Sequence, residues 1–420
     1  MIARNLFIGL MVPLYLLTAA CPAAAVDGGK TAKGAKSSES AKANDQARAG
    51  GDPLGKVDAS KLADLDKGPF QINAPAAILG DIDSGSILYA QEDQTPMHPA
   101  SLTKVMTLYL VYDALARGDL KLEQKLQVSE KAWRMSGSKT FVQVGDQVKV
   151  EDLILGIAVQ SGNDACIVVA EHLAGSEEAF AELMNRKAKQ LGMAHSHFDN
   201  ASGMPSPNHM TTARDMFLLA RAIKRDFPQY AHYSQEKQYS FNGIRQYNRN
   251  RLLWRDSSIT GLKTGHTKDA GYCLIATNDK DGQRLAAVIM GAKSSRVRED
   301  EALRLLRYGN RLFETVRIFE AKAVVRNLRV WKGQQERVDG IVTESLHVTV
   351  PRKERSSMEV GLVYDEPLVA PLLEGAQVGH VVVKLAGKEI VNRPVVAATA
   401  IPSGGFFRVL IDTIRMYLGW

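Results

Sequence analysis

The chain has 420 residues, 45% hydrophobic and 24% charged, a globular composition that excludes a fibrous or largely disordered protein. After the N-terminal segment no run of about 18 apolar residues occurs, so a polytopic membrane protein is excluded as well. The chain has 53 Lys and Arg against 46 Asp and Glu, which gives a net charge of +7. The basic residues do not form a stripe interleaved with aromatic residues. We therefore expect no nucleic-acid binding and favour an anionic membrane surface or polymer as the partner.

The first 25 residues have the three parts of a secretory signal peptide. Arg4 supplies the positive charge, Leu6 to Ala20 form an apolar segment, and Ala23 to Ala25 provide a small-residue cleavage site. The sequence therefore predicts export and removal of residues 1–25. Lipidation of Cys21 is the alternative, although the large aliphatic residue of a lipobox is missing three positions before it.

Residues 26–69 are rich in Lys, Ala, Gly and Ser and have few large apolar side chains. Such a segment buries too little surface to offset its ordering entropy, so we predict a flexible tether. After signal cleavage the chain retains Cys166 and Cys273, both in apolar runs. They are predicted to be buried free thiols, and whether they pair stays open.

Regular structure is predicted from Phe70 onward. Apolar segments around an Asp-Ser-Gly-Ser turn at residues 77–89 predict a β-hairpin, and apolar residues at helical spacing run from Ser101 to Gly118. Further patterns predict helices over residues 151–174, 176–191, 212–223 and 297–314, and strands over 271–276 and 285–291. Sheet segments that enclose several helices indicate an α/β or α+β catalytic domain over residues 70–316.

The texture of the sequence changes after Val316. Short alternating segments cut by Gly and Pro predict a small all-β domain over residues 317–401. Residues 402–420 return to helical spacing, with apolar residues on one side and Arg408, Asp412 and Arg415 on the other. This tail is too short and too polar to span a bilayer, so we predict an amphipathic helix lying in a membrane interface. A helix packed on the β domain is the alternative.

Three short motifs carry the chemical signal: Ser101-Leu102-Thr103-Lys104, Ser161-Gly162-Asn163 and Lys263-Thr264-Gly265. Each is weak alone, since Ser-x-x-Lys recurs at Ser136 and Ser234. Ser101 differs because it opens a long apolar helix. Residues three apart share a helix face, so Lys104 is expected beside Ser101. A serine hydroxyl needs a neighbouring base, and lysine serves only if burial or a nearby cation, here Lys263, lowers its pKa.

The chain resembles the low-molecular-mass penicillin-binding proteins that are serine-type D-alanyl-D-alanine carboxypeptidases, a family marked by these three motifs. The resemblance rests on Pro99–Lys104, Ser161–Cys166, Asn248–Trp254 and Gly261–Thr267 and extends over residues 70–420. It implies a penicillin-binding or serine β-lactamase-like transpeptidase domain, a small all-β domain and a C-terminal amphipathic helix. It also implies a periplasmic enzyme held at the outer surface of the inner membrane, acting on peptidoglycan stem peptides and acylated by β-lactams.

The resemblance assigns a role to each site residue. Ser101 would be the nucleophile and Lys104 its base, and Ser161 would relay a proton to the leaving amine. Asn163 would orient substrate and Lys104, Lys263 would supply positive charge, and Thr264 and Arg249 would bind the terminal carboxylate beside Gly265. The backbone N–H groups of Ser101 and His266 would form the oxyanion hole. A surface salt bridge is the alternative for Arg249. No metal or other cofactor is implied, because His195 and His197 lack further ligands at suitable spacing.

Alternative functions remain at this stage. A peptidoglycan D,D-endopeptidase or a β-lactamase would use the same chemistry. The appended β domain argues against the endopeptidase, and the missing Glu-x-x-Leu-Asn segment argues against a class A β-lactamase. A non-catalytic cell-wall or β-lactam-binding protein would lose one of the two motif lysines, and both Lys104 and Lys263 are present.

Overall fold

The structure is a computed structural model that describes residues 71–364 and 366–418. The predicted signal peptide, the tether, Cys21 and Trp420 lie outside the described residues. The described chain forms a mixed α/β part with elements from Ala76 to Leu312, which we call the body, and an all-β part with strands from Phe313 to Ala397, which we call the module. A C-terminal helix follows, so the predicted fold class is confirmed.

The body contains both strands and helices. Its strands are β1 (Ala76–Asp81), β2 (Ile87–Gln91), β3 (Lys125–Gln127), β4 (Gln147–Lys149), β5 (Gln238–Phe241), β6 (Ile244–Tyr247), β7 (Ile259–Thr267), β8 (Gly271–Lys280) and β9 (Gln283–Ala292). Its helices are α1 (Lys104–Arg117), α2 (Glu130–Arg134), α3 (Val150–Leu155), α4 (Asn163–Ala174), α5 (Glu177–Gln190), α6 (Ala213–Asp226), α7 (Leu252–Arg255) and α8 (Ser295–Leu312).

An antiparallel sheet of order β2-β1-β9-β8-β7 separates two apolar cores. Side chains alternate across a strand. Ala76 and Ile78 therefore enter the core shared with α1, α4 and α6, whereas Ala77 and Leu79 enter the core shared with α7 and α8. The sheet thus lies between two helical layers, and β7 forms its edge.

The predicted helix over residues 151–174 is wrong in one important respect. It is broken: α3 is followed by a π-helical turn over Gly156–Gln160, Ser161 adopts a left-handed conformation with φ 68°, and α4 starts at Asn163. The helical periodicity is correct on both sides, but the break aims Ser161 out of the helix. The hairpin, the other helices and both strands lie where the sequence predicts them.

The module after the body is built from strands. They are β10 (Phe313–Phe319), β11 (Val324–Trp331), β12 (Arg337–Ile341), β13 (Leu346–Pro351), β14 (Met358–Tyr364), β15 (Leu368–Val369), β16 (Gln377–Leu385) and β17 (Lys388–Ala397). Six form a sheet of order β14-β16-β17-β12-β11-β15, and β10 pairs with β13. The boundary proposed between residues 316 and 317 falls within β10, and the division into domains stays a prediction.

Body and module are joined by hydrogen bonds around Asp81. Thr315 Oγ1 donates to Asp81 at 2.6 Å, and the hydroxyl oxygens of Ser84 and Thr349 lie 2.6 Å apart. None of the three aspartates of this region, Asp81, Asp83 and Asp93, is simply solvated. Asp81 is fully buried, and burial raises the pKa of its carboxyl. The other two form ion pairs, Asp83 with Arg284 and Asp93 with Arg214.

The C-terminal helix α9 (Phe406–Leu418) contacts the module through its polar side. Asp412 is buried and accepts hydrogen bonds from the Lys332 N–H at 2.7 Å and from Arg408 at 3.0 Å. Arg408 also pairs with Glu336 at 2.7 Å. Asp412 and Arg408, predicted on the polar side of a membrane-interface helix, dock that side of the helix on the module. Only Arg415 of the three charged residues stays exposed.

Candidate active site

Ser101 and Lys104 meet where the first long helix begins. A 3₁₀ turn over Ala100–Thr103 leads into α1, and Lys104 Nζ donates a 2.9 Å hydrogen bond to Ser101 Oγ. The Lys104 side chain is completely buried. The spacing of three residues therefore aligns the hydroxyl with the amine, as the sequence predicts.

The surroundings of Lys104 lower the pKa of its amine. Its amine also donates to Asn163 Oδ1 at 2.8 Å and to the carbonyl of Ser202 at 2.5 Å, neither of which carries a charge. Burial, helped by the positive charge of Arg249 and opposed by Cys166 and Asp164, lowers the pKa of Lys104 to about 8. A lysine of this kind can accept a proton near neutral pH.

The second motif owes its shape to Gly162. A Cβ at this position would lie 2.0 Å from Thr140 Oγ1 and 2.8 Å from Asp164 Oδ1, so only glycine fits behind the turn. The buried Asp164 carboxylate accepts the backbone N–H groups of Thr140 and Phe141 at 2.8 and 2.9 Å. This packing fixes the left-handed turn at Ser161.

The third motif lies on the edge strand β7. Lys263 Nζ donates to Ser161 Oγ and to the carbonyl of Thr264, both at 3.0 Å. Burial, followed by the charges of Lys104 and Arg249, holds the pKa of Lys263 well below its usual value. Repulsion between the two lysine cations is mutual, so the expectation that Lys263 lowers the pKa of Lys104 stays a prediction, with burial the largest cause for both amines.

Gly265 brings β7 against the nucleophile. A Cβ on Gly265 would lie 3.2 Å from the backbone nitrogen of Ser101 and 3.0 Å from the carbonyl of Pro99. The buried Arg298 supports the strand from behind by donating to the Gly265 carbonyl at 3.1 Å. The next residue, His266, exposes its ring and stacks it on Tyr272 with ring centroids 4.0 Å apart.

Arg249 projects from a loop that two asparagines fix. Asn248 and Asn250 are buried on either side of it, and Asn250 Nδ2 donates to the Gly261 carbonyl of β7 at 2.9 Å. Among residues 71–364 and 366–418 no carboxylate pairs with Arg249, so the alternative of a surface salt bridge finds no partner there. Its positive charge nevertheless lowers the pKa of Lys104 and of Lys263.

The sequence did not predict the loop over residues 200–204, which contacts Lys104. Asn200 Oδ1 accepts the backbone N–H groups of Ser202, Gly203 and Met204 at 2.8–3.2 Å, which aims the Ser202 carbonyl at Lys104. The Asn-Ala-Ser-Gly segment over residues 200–203 is the available signal, because Asn commonly caps such turns. Asp215 acts structurally, since its carboxylate accepts hydrogen bonds from His195 N–H and Ser196 Oγ.

The hydrogen bonds of the two histidines considered as metal ligands are local. His197 pairs with Asp199 at 3.1 Å, and His195 uses its backbone N–H on Asp215. Across the part of the chain that the structure describes, no three His, Cys, Asp or Glu residues form a metal-binding group. Cys166 and Cys273 are both buried free thiols, as predicted.

Comparisons with known proteins match both the body and the module to known families. The model of the D-alanyl-D-alanine carboxypeptidase family matches residues 63–294, and that of the penicillin-binding protein 5 C-terminal domain matches residues 313–403. D-alanyl-D-alanine carboxypeptidase DacC of Escherichia coli is 40% identical over 353 residues, covering 82% of this chain and 88% of the relative.

Solved structures are similar as well. Penicillin-binding protein 5 of Haemophilus influenzae is 36% identical with a TM-score of 0.75, covering 80% of this chain and 99% of that chain. Penicillin-binding protein D2 of Listeria monocytogenes, solved in a cefotaxime-bound form, is 28% identical with a TM-score of 0.54. This match covers 58% of the present chain and 100% of the other.

Proposed function

This chain belongs to the D-alanyl-D-alanine carboxypeptidase family, and on that premise we propose that it removes the terminal D-alanine from peptidoglycan stem pentapeptides through an acyl-enzyme on Ser101. The enzyme is a serine-type hydrolase. The observation that carries the assignment of the nucleophile is the 2.9 Å hydrogen bond between Lys104 Nζ and Ser101 Oγ, beside the Ser161–Lys263 pair.

In the proposed acylation, Lys104 takes the proton of Ser101 as the hydroxyl oxygen attacks the carbonyl between the two D-alanines. A pKa of about 8 supports this role, because about a tenth of the amine is then neutral at pH 7. Asn163 positions the amine by accepting from it, while its own Nδ2 donates to the Ser136 carbonyl at 2.7 Å.

The carbonyl oxygen that becomes negative is proposed to accept hydrogen bonds from the backbone N–H groups of Ser101 and His266. Support comes from the close approach of β7 to the nucleophile turn at Gly265, which brings the two backbone segments together. Collapse of the intermediate breaks the carbon–nitrogen bond. Ser161, held by Lys263 at 3.0 Å, relays a proton to the departing amine.

Thr264 and Arg249 are proposed to bind the carboxylate of the leaving D-alanine. Thr264 is on the edge strand next to Lys263, and Arg249 is a cation without a carboxylate partner in the described chain. A free anion on the substrate would complete this arrangement. Water then attacks the acyl carbon, Ser101 regains its proton, and the shortened peptide departs.

β-Lactams are proposed to acylate Ser101 as well. Their strained amide presents the same carbonyl and carboxylate to the same groups. The cefotaxime-bound form of the Listeria monocytogenes neighbour supports this proposal.

We propose that the enzyme works on the periplasmic side of the cytoplasmic membrane. The sequence of residues 1–25 supports export. No helix in the described ranges is long and apolar enough to cross a bilayer. The apolar side of α9 supports peripheral attachment, because Phe406, Phe407, Leu410, Ile411, Ile414, Tyr417 and Leu418 are 45–92% exposed.

The test of the catalytic proposal is release of free D-alanine from a pentapeptide ending in D-alanyl-D-alanine. Steady release with a trapped acyl-enzyme on penicillin is expected. Fast penicillin turnover without D-alanine release would instead identify a β-lactamase. Stable penicillin labelling without any D-alanine would identify a non-catalytic binder, and cleavage confined to cross-linked dimers would identify an endopeptidase.

A further inference from the structure

A cleft of about 860 Å³ opens beside Arg249, and the proposed mechanism leaves the rest of it unused. Its walls come from residues 247–249 and Arg251, from Trp254 and Arg255 of α7, and from the start of α8. Because Arg249 lines the cleft and is also proposed to hold the carboxylate of the leaving residue, the cleft continues the site beyond that residue.

The loop at residues 248–251 presents two arginines to this cleft. Asn248 and Asn250 are buried, Arg249 and Arg251 are exposed between and after them, and Asn250 N–H donates to Asn248 Oδ1 at 2.9 Å. The bond from Asn250 to Gly261 fastens this arrangement to β7. In the described residues Arg251, like Arg249, has no carboxylate partner.

The opposite wall adds a third guanidinium. Arg298 is 6% exposed, and its Nη groups donate to the Gly265 carbonyl at 3.1 Å and to Ser295 Oγ at 3.2 Å. Its Nε is buried and has no acceptor among the residues described. The acidic groups nearby are already engaged. Glu299, which lines the cleft, lies 3.9 Å from Arg298 and 3.8 Å from Arg255, and Arg255 also pairs with Asp300 at 2.6 Å. The open side of the cleft is therefore positive.

Trp254 supplies an apolar surface next to these charges. Its side chain is 48% exposed at the cleft wall, although large aromatic side chains are usually buried. A ligand with an aliphatic stem and a terminal anion would cover the ring and meet Arg251. D-Alanine, whose side chain is a methyl group, would fill little of this space.

We infer that the cleft accepts leaving residues larger than D-alanine, and that Arg251 binds a second carboxylate on them. The inference rests on the proposed function, since the hold of Arg249 on the first carboxylate directs the side chain of the leaving residue. The amine-bearing strand of a peptide cross-link belongs to this class of leaving group. The chemistry is unchanged: the same carbon–nitrogen bond breaks, the amine gains the proton, and water hydrolyses the acyl-enzyme.

Three peptides that differ only in the last residue test this inference. They end in D-alanyl-D-alanine, in D-alanyl-D-glutamate and in the neutral isostere D-alanyl-D-glutamine. They are assayed with the wild type, Arg251→Gln and Arg311→Gln. Arg311 is also exposed and lies about 20 Å farther along α8 from Arg298, at 1.5 Å per residue. It therefore controls for the loss of one positive charge.

We expect the wild type to show a kcat/KM for the D-glutamate peptide about three- to tenfold above that for the D-glutamine peptide. Arg251→Gln brings this ratio near one, and Arg311→Gln preserves it. A ratio near one in the wild type, or a ratio that survives Arg251→Gln, overturns the inference. Release of D-alanine without cleavage of either larger peptide overturns it and leaves the proposed function standing. Failure on all three peptides overturns both.

Discussion

Gly203 rests on the carbonyl of Ala100 so closely that a Cβ at position 203 would lie 1.8 Å from the oxygen. Ala100 directly precedes the nucleophile. Ser202 directly precedes Gly203, and its carbonyl accepts a hydrogen bond from Lys104. One backbone crossing therefore sets the positions of both the proposed nucleophile and the proposed base.

Gly203→Ala should slow acylation of Ser101 by penicillin by at least tenfold and lower the melting temperature. The added methyl displaces the nucleophile turn at Ala100, and overpacking of this kind costs about 1–3 kcal/mol. Gly175→Ala is the matched control, because Gly175 has φ 82° against 80° for Gly203 but nothing within 4 Å of its Cβ. Equal acylation rates in the two folded variants would show that the crossing does not position the nucleophile.

Ser101→Ala should abolish both D-alanine release and covalent labelling by a fluorescent penicillin. Ser234→Ala is the informative comparison, because Ser234 also receives a hydrogen bond from a buried lysine, Lys224, at 3.3 Å. Burial lowers the pKa of Lys224 to about 8. The Ser234 hydroxyl donates to backbone carbonyls of Ala231 and Thr260 and is 6% exposed, so we expect labelling to persist in this variant. Labelling of folded Ser101→Ala would contradict the assignment of the nucleophile.

The two Ser–Lys pairs explain how far sequence alone reaches. Spacing within a helix correctly placed Lys104 against Ser101, because three residues is a local distance. The pair of Ser234 and Lys224 does not follow that pattern, since the lysine comes from a different helix. A sequence motif reports local geometry, whereas burial and partner choice depend on residues far along the chain.

The same limit explains why the break at Ser161 and the burial of Asp412 were not predicted. Helical periodicity continues through Ser161, but contacts of Gly162 and Asp164 with Thr140, more than twenty residues earlier, break the helix. Asp412 has a solvent-side position in the periodic pattern, yet Lys332 on a distant strand supplies its buried partner. Both outcomes follow from tertiary contacts that periodicity does not encode.

The rate of penicillin acylation should depend on pH through Lys104. The base acts only when neutral, so kcat/KM should rise about tenfold per unit below a pKa of about 8 and level off above it. Arg249→Gln removes a positive charge that lowers this pKa, so the inflection should move to higher pH. Arg251→Gln is the control, because its charge does not contribute to the shift of Lys104. A profile that stays in place in Arg249→Gln would argue against Lys104 as the titrating base.

Membrane attachment should depend on the exposed side of α9 rather than on its docked side. The double variant Leu410→Glu and Ile414→Glu should leave the supernatant activity intact but abolish sedimentation with liposomes that contain anionic lipid. Burying each such side chain is worth about 1.5–3 kcal/mol, which suffices for reversible attachment, and the new charges would have to be desolvated. Val324→Glu is the control, because Val324 is 53% exposed and lies at the other end of β11 from Lys332, where α9 docks. Its sedimentation should match the wild type.

Removing α9 offers an independent test of the same attachment. Truncation after Gly405 retains the 2.7 Å hydrogen bond from Gly404 N–H to the Lys332 carbonyl, so the end of the shortened chain stays bound to the module. The shortened protein should be fully active on a soluble pentapeptide, because the catalytic motifs belong to the body, and should remain in the supernatant at every lipid composition. Wild-type protein that fails to sediment at low salt would mean that α9 is only a packing helix. Truncated protein that still sediments would place the attachment elsewhere in the chain.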